Sequence, residues 1–476
     1  MPDYDAAIIG LGPVGAVLAN LLGLQGLKVG VFERAEQIHD LPRAVHFDDD
    51  AMRVFQTIGI ADQVAGVSRI NAGMRFVDPG GKLLLDWPRP QEPGPQGWHP
   101  SWRFHQPDLE RLLRARLSDR DTVGQHLGWT VTDLADTADA VQITAQRGDE
   151  TQTHSARFVV GCDGGRSFTR ERIGGGTEDL GFHERWLVVD VLLARDRPDL
   201  GDYTIQHCHP AHAATYVRGP GLRRRWEIAL GNLDLPEVPG PEDIWPHLSR
   251  WLQPGEAEIE RAAIYTFHSM IAHRWRNGRL LIAGDAAHQM PPFMGQGLCA
   301  GIRDAANLAW KLGIACRAGP DLLDTYQSER APHVREYIQG AIRLGGLINA
   351  SDPDAALKGA FQQPDGSRKM ASLAPRLGPG LWNGPDGGRC APQPRLKDGR
   401  LLDDVAGYAP VLVAEPEIAG AMEASGPLII ATDRFKGPAT LPAPAVLIRP
   451  DRHIWGTAAD LAGTRALLAR MTAATG

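Results

Sequence analysis

The sequence predicts an α/β protein: one large Rossmann-like domain, an antiparallel sheet inserted into it, and a small α/β unit at the C-terminal end. Three observations carry this expectation. Residues 4–34 read as strand, glycine turn, helix, strand. Two later apolar runs, "FVVGCDGG" and "RLLIAGDAAH", each end in an aspartate beside glycine. Between them lie alternating runs such as "RWLVVDVLLA" and "RRWEIALG", which suit an antiparallel sheet with unlike faces.

Bulk composition narrows the classes. The chain has 476 residues, 43% hydrophobic and 22% charged, with a formal net charge of −7. That length suits one very large domain or two to three ordinary ones. Lys and Arg are scattered, which argues against nucleic acid as a partner. Residues Ala6–Leu27 carry no charge and could mimic a membrane span by length, but Gly10, Gly12, Pro13 and Gly15 interrupt it. Acidic Asp3 and Asp5 replace the basic start of an export signal. The expectation is therefore a cytoplasmic protein without membrane contact. Cysteines stand at 162, 208, 299, 316 and 390 with no Cys-x-x-Cys spacing. This argues against a structural metal and against a redox dithiol.

The first element is "YDAAIIGLGPVGAVLANLLGLQGLKVGVFER" (Tyr4–Arg34). In its Gly10-x-Gly12-x-x-Gly15 pattern, Gly10 makes the tight turn and Gly12 lets backbone approach a pyrophosphate. Gly15 lets helix and strand pack closely. Pro13 and Val14 open the helix, whose N-terminus offers free N–H groups. Glu33, followed by Arg34, stands where an acid binds a ribose 2′-OH. A plain βα turn leaves Glu33 unexplained. The pattern points to FAD or NAD and against a 2′-phosphate here. "FVVGCDGGRSFTR" (158–170) supplies Asp163 and Gly164 as a second strand end. "AGDAAHQMPPFMGQG" (283–297) supplies Gly284, Asp285, Pro292, Gly295 and Gly297 before a long helical pattern. A carboxylate at a strand end and bare amides at Gly295 to Leu298 suit a polar, anionic ligand between them. The alternative for Asp285 is an ordinary helix cap.

The remaining order follows from pattern. Residues 1–75, 100–178 and 275–350 are expected to build the nucleotide domain. Residues 76–99 and 179–274 are assigned to the inserted sheet domain, 351–395 to a helix end and Gly/Pro-rich linker, and 396–476 to the C-terminal unit. "GPGLRR" (Gly219–Arg224) lacks a third glycine and a following buried helix, so no second dinucleotide fingerprint is present.

With Gly-x-Gly-x-x-Gly and Glu33, "CDGGRSFTR" and "LIAGDAAHQMPPFMGQG" in this order, the chain resembles the single-component FAD-dependent aromatic hydroxylases of the para-hydroxybenzoate hydroxylase fold. "LPRAVHFDDDAMRVFQTIGI" (Leu41–Ile60), "FHQPDLERLLRARL" (Phe104–Leu117) and "GIRDAANLAWKL" (Gly301–Leu312) are similar to 3-(3-hydroxyphenyl)propionate hydroxylase-like phenol monooxygenases. The resemblance covers roughly residues 1–345 and implies FAD as cofactor, with NADPH or NADH as a transient co-substrate. It also implies O2, a phenolic substrate and hydroxylation through a flavin C4a-hydroperoxide. A thioredoxin-like C-terminal domain without redox cysteines is implied too, and a homodimer stays open. An epoxidase, a Baeyer–Villiger monooxygenase, a reductase and a non-catalytic FAD protein are the rivals on the same scaffold.

The resemblance also implies roles. Asp285 would bind the ribitol chain, and the helix after it would face the flavin pyrimidine ring. Asp163 and Gly164 would lie near the pyrophosphate and the nicotinamide nucleotide. Arg43 and Ala44 would run beside the flavin, with a surface ion pair to Asp48–Asp50 as the other role for Arg43. Gln106 would lie against the cofactor, and Arg103 is in the same segment, where relatives vary. Many relatives have Asn at the position of Cys299, so Cys299 would touch flavin through backbone or serve as a small buried filler. Pro292, Tyr203 and Tyr216 are expected to face the substrate. His46 would be the base that takes the phenol proton, with Tyr203, His207 or Tyr216 as alternatives. Its other role is packing on the flavin or bonding to Asp48.

Overall fold

A computed structural model of the chain describes residues 1–38, 43–210, 212–231, 233, 235–422, 426–437 and 441–476. Leu41 and Pro42, which open one of the quoted motifs, lie outside the described residues. The chain begins with strand Tyr4–Ile9, helix Pro13–Leu24 and strand Val29–Glu33. Strand Tyr4–Ile9 pairs in parallel with Val29–Glu33 on one side and with Glu150–Gly161 on the other. Strand Leu280–Ile282 extends the same parallel sheet beyond Glu150–Gly161, and Val123–Leu127 extends it beyond Val29–Glu33. Continuous apolar runs suit such strands because helices cover the sheet. Helix Gly297–Cys316 is buried along almost its whole length and packs on Pro13–Leu24.

This topology puts the three sequence motifs on one edge. Gly10, Glu33, Cys162–Asp163 and Ala283–Asp285 all follow or close the carboxyl ends of neighbouring parallel strands. That edge is where open α/β sheets bind ligands.

The second eight-stranded sheet runs in the order His288–Gln289, Ala257–Ala272, Thr177–Leu193, Arg223–Ala229, Ala214–Arg218, Thr204–His207, Gly73–Val77 and Leu83–Pro88. Its pairs are antiparallel except Gly73–Val77 with Thr204–His207. "GPGLRR" is the hairpin turn between Ala214–Arg218 and Arg223–Ala229, closed by the Gly219 N–H donating to Arg223 O. One face of this sheet packs Leu187, Val189, Val191, Tyr216, Trp226 and Ile228 against Ile244 and Leu248 of helix Pro241–Leu248. The opposite face, one residue out of step, carries Val188, Asp190, Thr215, Val217, Arg225 and Glu227 toward the first domain.

A three-stranded sheet joins the two large ones: His46–Asp48, Ser101–Arg103 and Arg69–Ile70. In it His46 stands directly opposite Arg103. The C-terminal unit has a four-stranded sheet of order Leu428–Ala431, Val411–Ala414, Ala445–Ile448, Ile454–Ala458, with the first pair parallel and the others antiparallel. It docks through Trp455 and Leu467 against Trp310 and Leu322. Fully buried Arg449 adds a bidentate bond to Glu329, at 2.9 and 2.7 Å, and is also held by Asp451. No helix among the described residues is long and apolar enough to cross a membrane.

Candidate active site

Three cavities lie in succession, and they share walls. The first, about 630 Å³, is lined by Gly10, Gly12, Pro13, Glu33, Arg34, Arg43, Gln106, Asp163 and Gly164, among others. Gly10 has φ +96°, and a Cβ there would meet Cys162 O at 2.6 Å. A Cβ on Gly15 would lie 2.0 Å from Gly10 O, so helix and strand touch only because both residues are glycine. Gly12 differs: a Cβ there would meet no atom within 4 Å. It would project into an open cradle, as a pyrophosphate site requires. The Glu33 carboxylate accepts from Leu11 N at 2.7 Å and Ala35 N at 2.9 Å, which fixes it at the strand end.

Two expected cofactor residues turn their side chains to the protein. Gln106 Oε1 accepts from the N–H groups of Arg43 (2.9 Å) and Ala44 (2.8 Å), and its Nε2 donates to Glu110. It shapes the segment that borders the ligand. Asp163 accepts from Thr169 N at 2.9 Å and Thr169 Oγ1 at 3.0 Å, and from the Ser167 hydroxyl. Its carboxylate braces the turn into helix Phe168–Ile173. Val14 lies under the glycines rather than in a cavity: a Cβ on Gly284 or Gly301 would meet its side chain. Arg43 makes no ion pair among the described residues and borders both this cavity and the next.

The second cavity, about 290 Å³, is a slot lined by Arg43, Ala44, Val45, His46, Asp285, Pro292, Gly295, Gly297 and Leu298, among others. Asp285 is exposed into this slot and has no hydrogen-bond partner among the described residues. The surrounding protein raises its carboxyl above the usual range, mainly through desolvation. Beneath it, Asp304 accepts from Gly284 N (3.1 Å), His288 Nε2 (2.6 Å) and Arg330 Nε (2.8 Å). That buried cluster locks the strand end which presents Asp285. Gly297 begins the long helix, and a Cβ there would meet nothing closer than 3.9 Å. Bare amides therefore face the slot with room for a flat ring. Cys299 is buried, its thiol directed at Gly295 O at 3.8 Å, as a small filler would be.

The third cavity, about 410 Å³, shares Val45, His46, Glu227, Pro292 and Gly295 with the slot. Its walls add Ser101, Arg103, Thr204, Thr215 and Val217. His46 Nδ1 donates to Gly295 O at 3.0 Å, and Ser101 Oγ lies 2.8 Å from His46 Nε2. Asn71 Nδ2 donates to the same Ser101 oxygen. Because a carbonyl only accepts, Nδ1 carries the proton and Nε2 takes the Ser101 hydrogen. Gly295 has φ +63°, and a Cβ there would lie 2.9 Å from His46. Burial, then the cation of Arg103 opposite it, pushes the His46 pKa down to about 3.

These placements change part of the expectation. With both nitrogens engaged and a pKa near 3, His46 is poorly suited to take a phenol proton at neutral pH. It does not bond Asp48, which is held by Arg303 Nη2 at 2.5 Å. Tyr203, His207 and Tyr216 line a different cleft, of about 330 Å³, on the far side of the sheet. The reason is strand parity: Thr215 and Val217 face the third cavity, so Tyr216 faces away and packs on Trp226. Residues not singled out from the sequence also appear. Glu227 sits between Trp226 and Ile228, and alternation alone reads it as solvent-facing. Asp48 and Asp49, named from the sequence only as partners for Arg43 or His46, line the cavity as well, with Arg389, Cys390 and His453. The last three come from beyond residue 388, and nothing local in the sequence signals their return.

The comparisons with known proteins agree with this geometry. A family model described as "FAD binding domain" matches residues 3–341. A probable NADH-specific resorcinol 4-hydroxylase of Rhodococcus jostii (strain RHA1) is 38% identical, over 99% of this chain and 95% of its own length. A 3-(3-hydroxy-phenyl)propionate/3-hydroxycinnamic acid hydroxylase of Mycobacterium sp. (strain JLS) is 35% identical over 84% of this chain and 68% of its own. Among solved structures, the OxyS anhydrotetracycline hydroxylase from Streptomyces rimosus has a TM-score of 0.75 at 26% identity, covering 95% of this chain and 94% of that one. The flavin-dependent monooxygenase PieE, with FAD and substrate, shares the fold at a TM-score of 0.81 and 20% identity, each chain covered in full. The three motif-bearing strand ends, the open glycine cradles and these likenesses lead to one conclusion: the chain belongs to the FAD-binding-domain family and, within it, to the flavin-dependent aromatic hydroxylases.

Proposed function

We propose that this enzyme hydroxylates a small phenol of the dihydroxybenzene type, with NADH as reductant. The observation that carries the reading is the shared wall of Val45, His46, Pro292 and Gly295 between the slot that fits the flavin ring and the cavity that fits an aromatic substrate. The likeness to a resorcinol 4-hydroxylase along nearly the whole chain supports this substrate class and NADH. Bound FAD, once reduced, supplies the activation of O2 and the transfer of one oxygen atom to the ring.

The chain's own residues do the rest. Gly12 and the helix behind it receive the pyrophosphate, and Glu33 takes the ribose. Asp285 would bind the ribitol chain, and the amides of Gly297 and Leu298 would favour negative charge on a flavin ring held in the slot. His46, neutral at physiological pH, joins Gly295 to Ser101 and so fixes the wall between cofactor and substrate. Pro292, Phe293 and Met294 help keep water from the reacting region. The C-terminal unit, residues 396–476, contains no cysteine; it serves as structure and places His453 in the cavity wall.

The test is NADH oxidation by the FAD-loaded protein with resorcinol, phenol and 3-(3-hydroxyphenyl)propionate, with products identified under 18O2. One labelled oxygen in a trihydroxybenzene is expected from resorcinol. Stimulated NADH oxidation that yields only hydrogen peroxide with every phenol would overturn the substrate reading.

A further inference from the structure

Glu227 occupies an unusual place. It lies on strand Arg223–Ala229 and borders both the flavin slot and the aromatic cavity. It is 7% exposed, and its carboxylate makes no hydrogen bond among the described residues. Its nearest cation, Arg225 Nη1, is 3.7 Å away. Arg225 is committed to Asp190 through bonds of 2.7 and 2.9 Å. On the same sheet face Arg261 also approaches Asp190, at 3.5 Å. Also lining the cavity, Arg103 donates to Thr204 Oγ1 at 2.5 Å, while its Nε is buried with no partner among the described residues. His46 stands opposite Arg103 on the adjoining strand. A carboxylate without a hydrogen-bond donor and a guanidinium with a spare N–H thus border one chamber.

Electrostatics fit a proton-transfer task. Burial raises the Glu227 carboxyl above its usual value, with Asp190 adding to the rise and Arg225, Arg103 and Arg261 opposing it. His46 is pushed the other way, to about 3, by burial and by Arg103. Of the two, Glu227 is the stronger base.

We propose that Glu227 is the proton acceptor for the substrate hydroxyl, with Arg103 as counter-ion to the phenolate. The phenolic O–H bond breaks and the proton joins a Glu227 carboxylate oxygen. The electron pair stays on the phenol oxygen beside Arg103, and the proton later leaves to solvent. This rests on the phenol reading above.

The test uses FAD-loaded wild type and Glu227→Gln. The first readout needs no turnover: the visible difference spectrum of bound 4-nitrophenol against the FAD-loaded protein alone, without NADH, at a pH where the free probe is protonated. Wild type is expected to show the phenolate band with no net proton release, and Glu227→Gln to lack the band. In turnover, hydroxylation of resorcinol by the variant should fall about 100-fold, the low end for losing a general base. Its acid limb should vanish, and fluorinated, more acidic resorcinols should recover product. An unchanged pH profile and yield would overturn the proposal, as would a loss equal for all resorcinols whatever their acidity. If Glu227→Gln fails to hold FAD, Glu227→Asp decides: a slower enzyme that keeps the acid limb supports the role, and wild-type rates overturn it. Wild type that hydroxylates no phenol would overturn the phenol reading itself, a result distinct from wild-type turnover that is insensitive to Glu227.

Discussion

Replacing Gly12 and Gly15 separately with alanine should divide cofactor binding from folding within a single turn. At Gly15 the new Cβ would sit 2.0 Å from the backbone oxygen of Gly10. Ordinary contact needs well over an ångström more, and a backbone carbonyl at a strand end cannot swing aside. The helix must back away from the sheet, and overpacking of this kind costs roughly 1–3 kcal/mol. At Gly12 the backbone is extended (φ −70°, ψ −178°) and the Cβ meets nothing within 4 Å. There the folded apoprotein should lose at most about 1 kcal/mol, the scale for alanine at a helix N-cap. The Cβ instead occupies the space for phosphate, and losing one charge-assisted bond costs roughly 1.5–3 kcal/mol. That corresponds to roughly 10- to 150-fold weaker FAD binding. Urea unfolding of the apoproteins and fluorescence titration with FAD measure the two effects. Gly15→Ala apoprotein as stable as wild type, or Gly12→Ala protein with unchanged FAD affinity, would refute the reasoning.

Asp285→Ala should weaken FAD retention by a similar roughly 10- to 150-fold, because it removes a carboxylate exposed to the slot; equal affinity by titration would count against its assignment. Asp304 is held down to about 2 while an unfolded aspartate titrates near ~3.9, so its contribution is fully present above ~3.9 and is lost as pH falls through about 2. Stability should therefore drop by about 2–3 kcal/mol from this group between about pH 5 and pH 1, and Asp304→Asn should flatten that part of the acid-unfolding curve. The His46 imidazole, with its pKa near 3, should stay neutral with Nδ1 protonated from about pH 5 to 8 in nitrogen-15 NMR spectra. A titration midpoint near neutrality would restore it as a candidate base.

Backbone-determined features were legible because few residues can adopt them. Gly10, Gly12 and Gly15 needed no neighbours to be interpreted: one has φ +96°, one opens a cradle, and one sits beneath a carbonyl. The strand ends at Asp163 and Asp285 were equally readable from an apolar run stopped by aspartate and glycine. The side-chain partners of those residues were less so. Gln106 and Asp163 belong to the ligand's border, yet their polar atoms hold Arg43, Ala44 and the 167–169 turn. Their spacing to a motif says nothing about which way a carboxylate or amide turns.

By itself the sequence determined the parallel sheet, its ligand-bearing edge and the class of cofactor, because these depend on local backbone geometry and on the period of apolar residues. Only the tertiary structure decided which groups line the third cavity. Parity on the strand Ala214–Arg218 sends Tyr216 to the outer core and Thr215 to the cavity, a one-residue choice set by which face the first domain covers. Glu227 is buried because that face closes on the second and third cavities, whereas in the isolated strand it would face water. Likewise Cys390 and His453 reach the chamber through docking of the C-terminal unit on Trp310 and Glu329. Contacts between residues hundreds of positions apart arise from packing, and no local pattern encodes them.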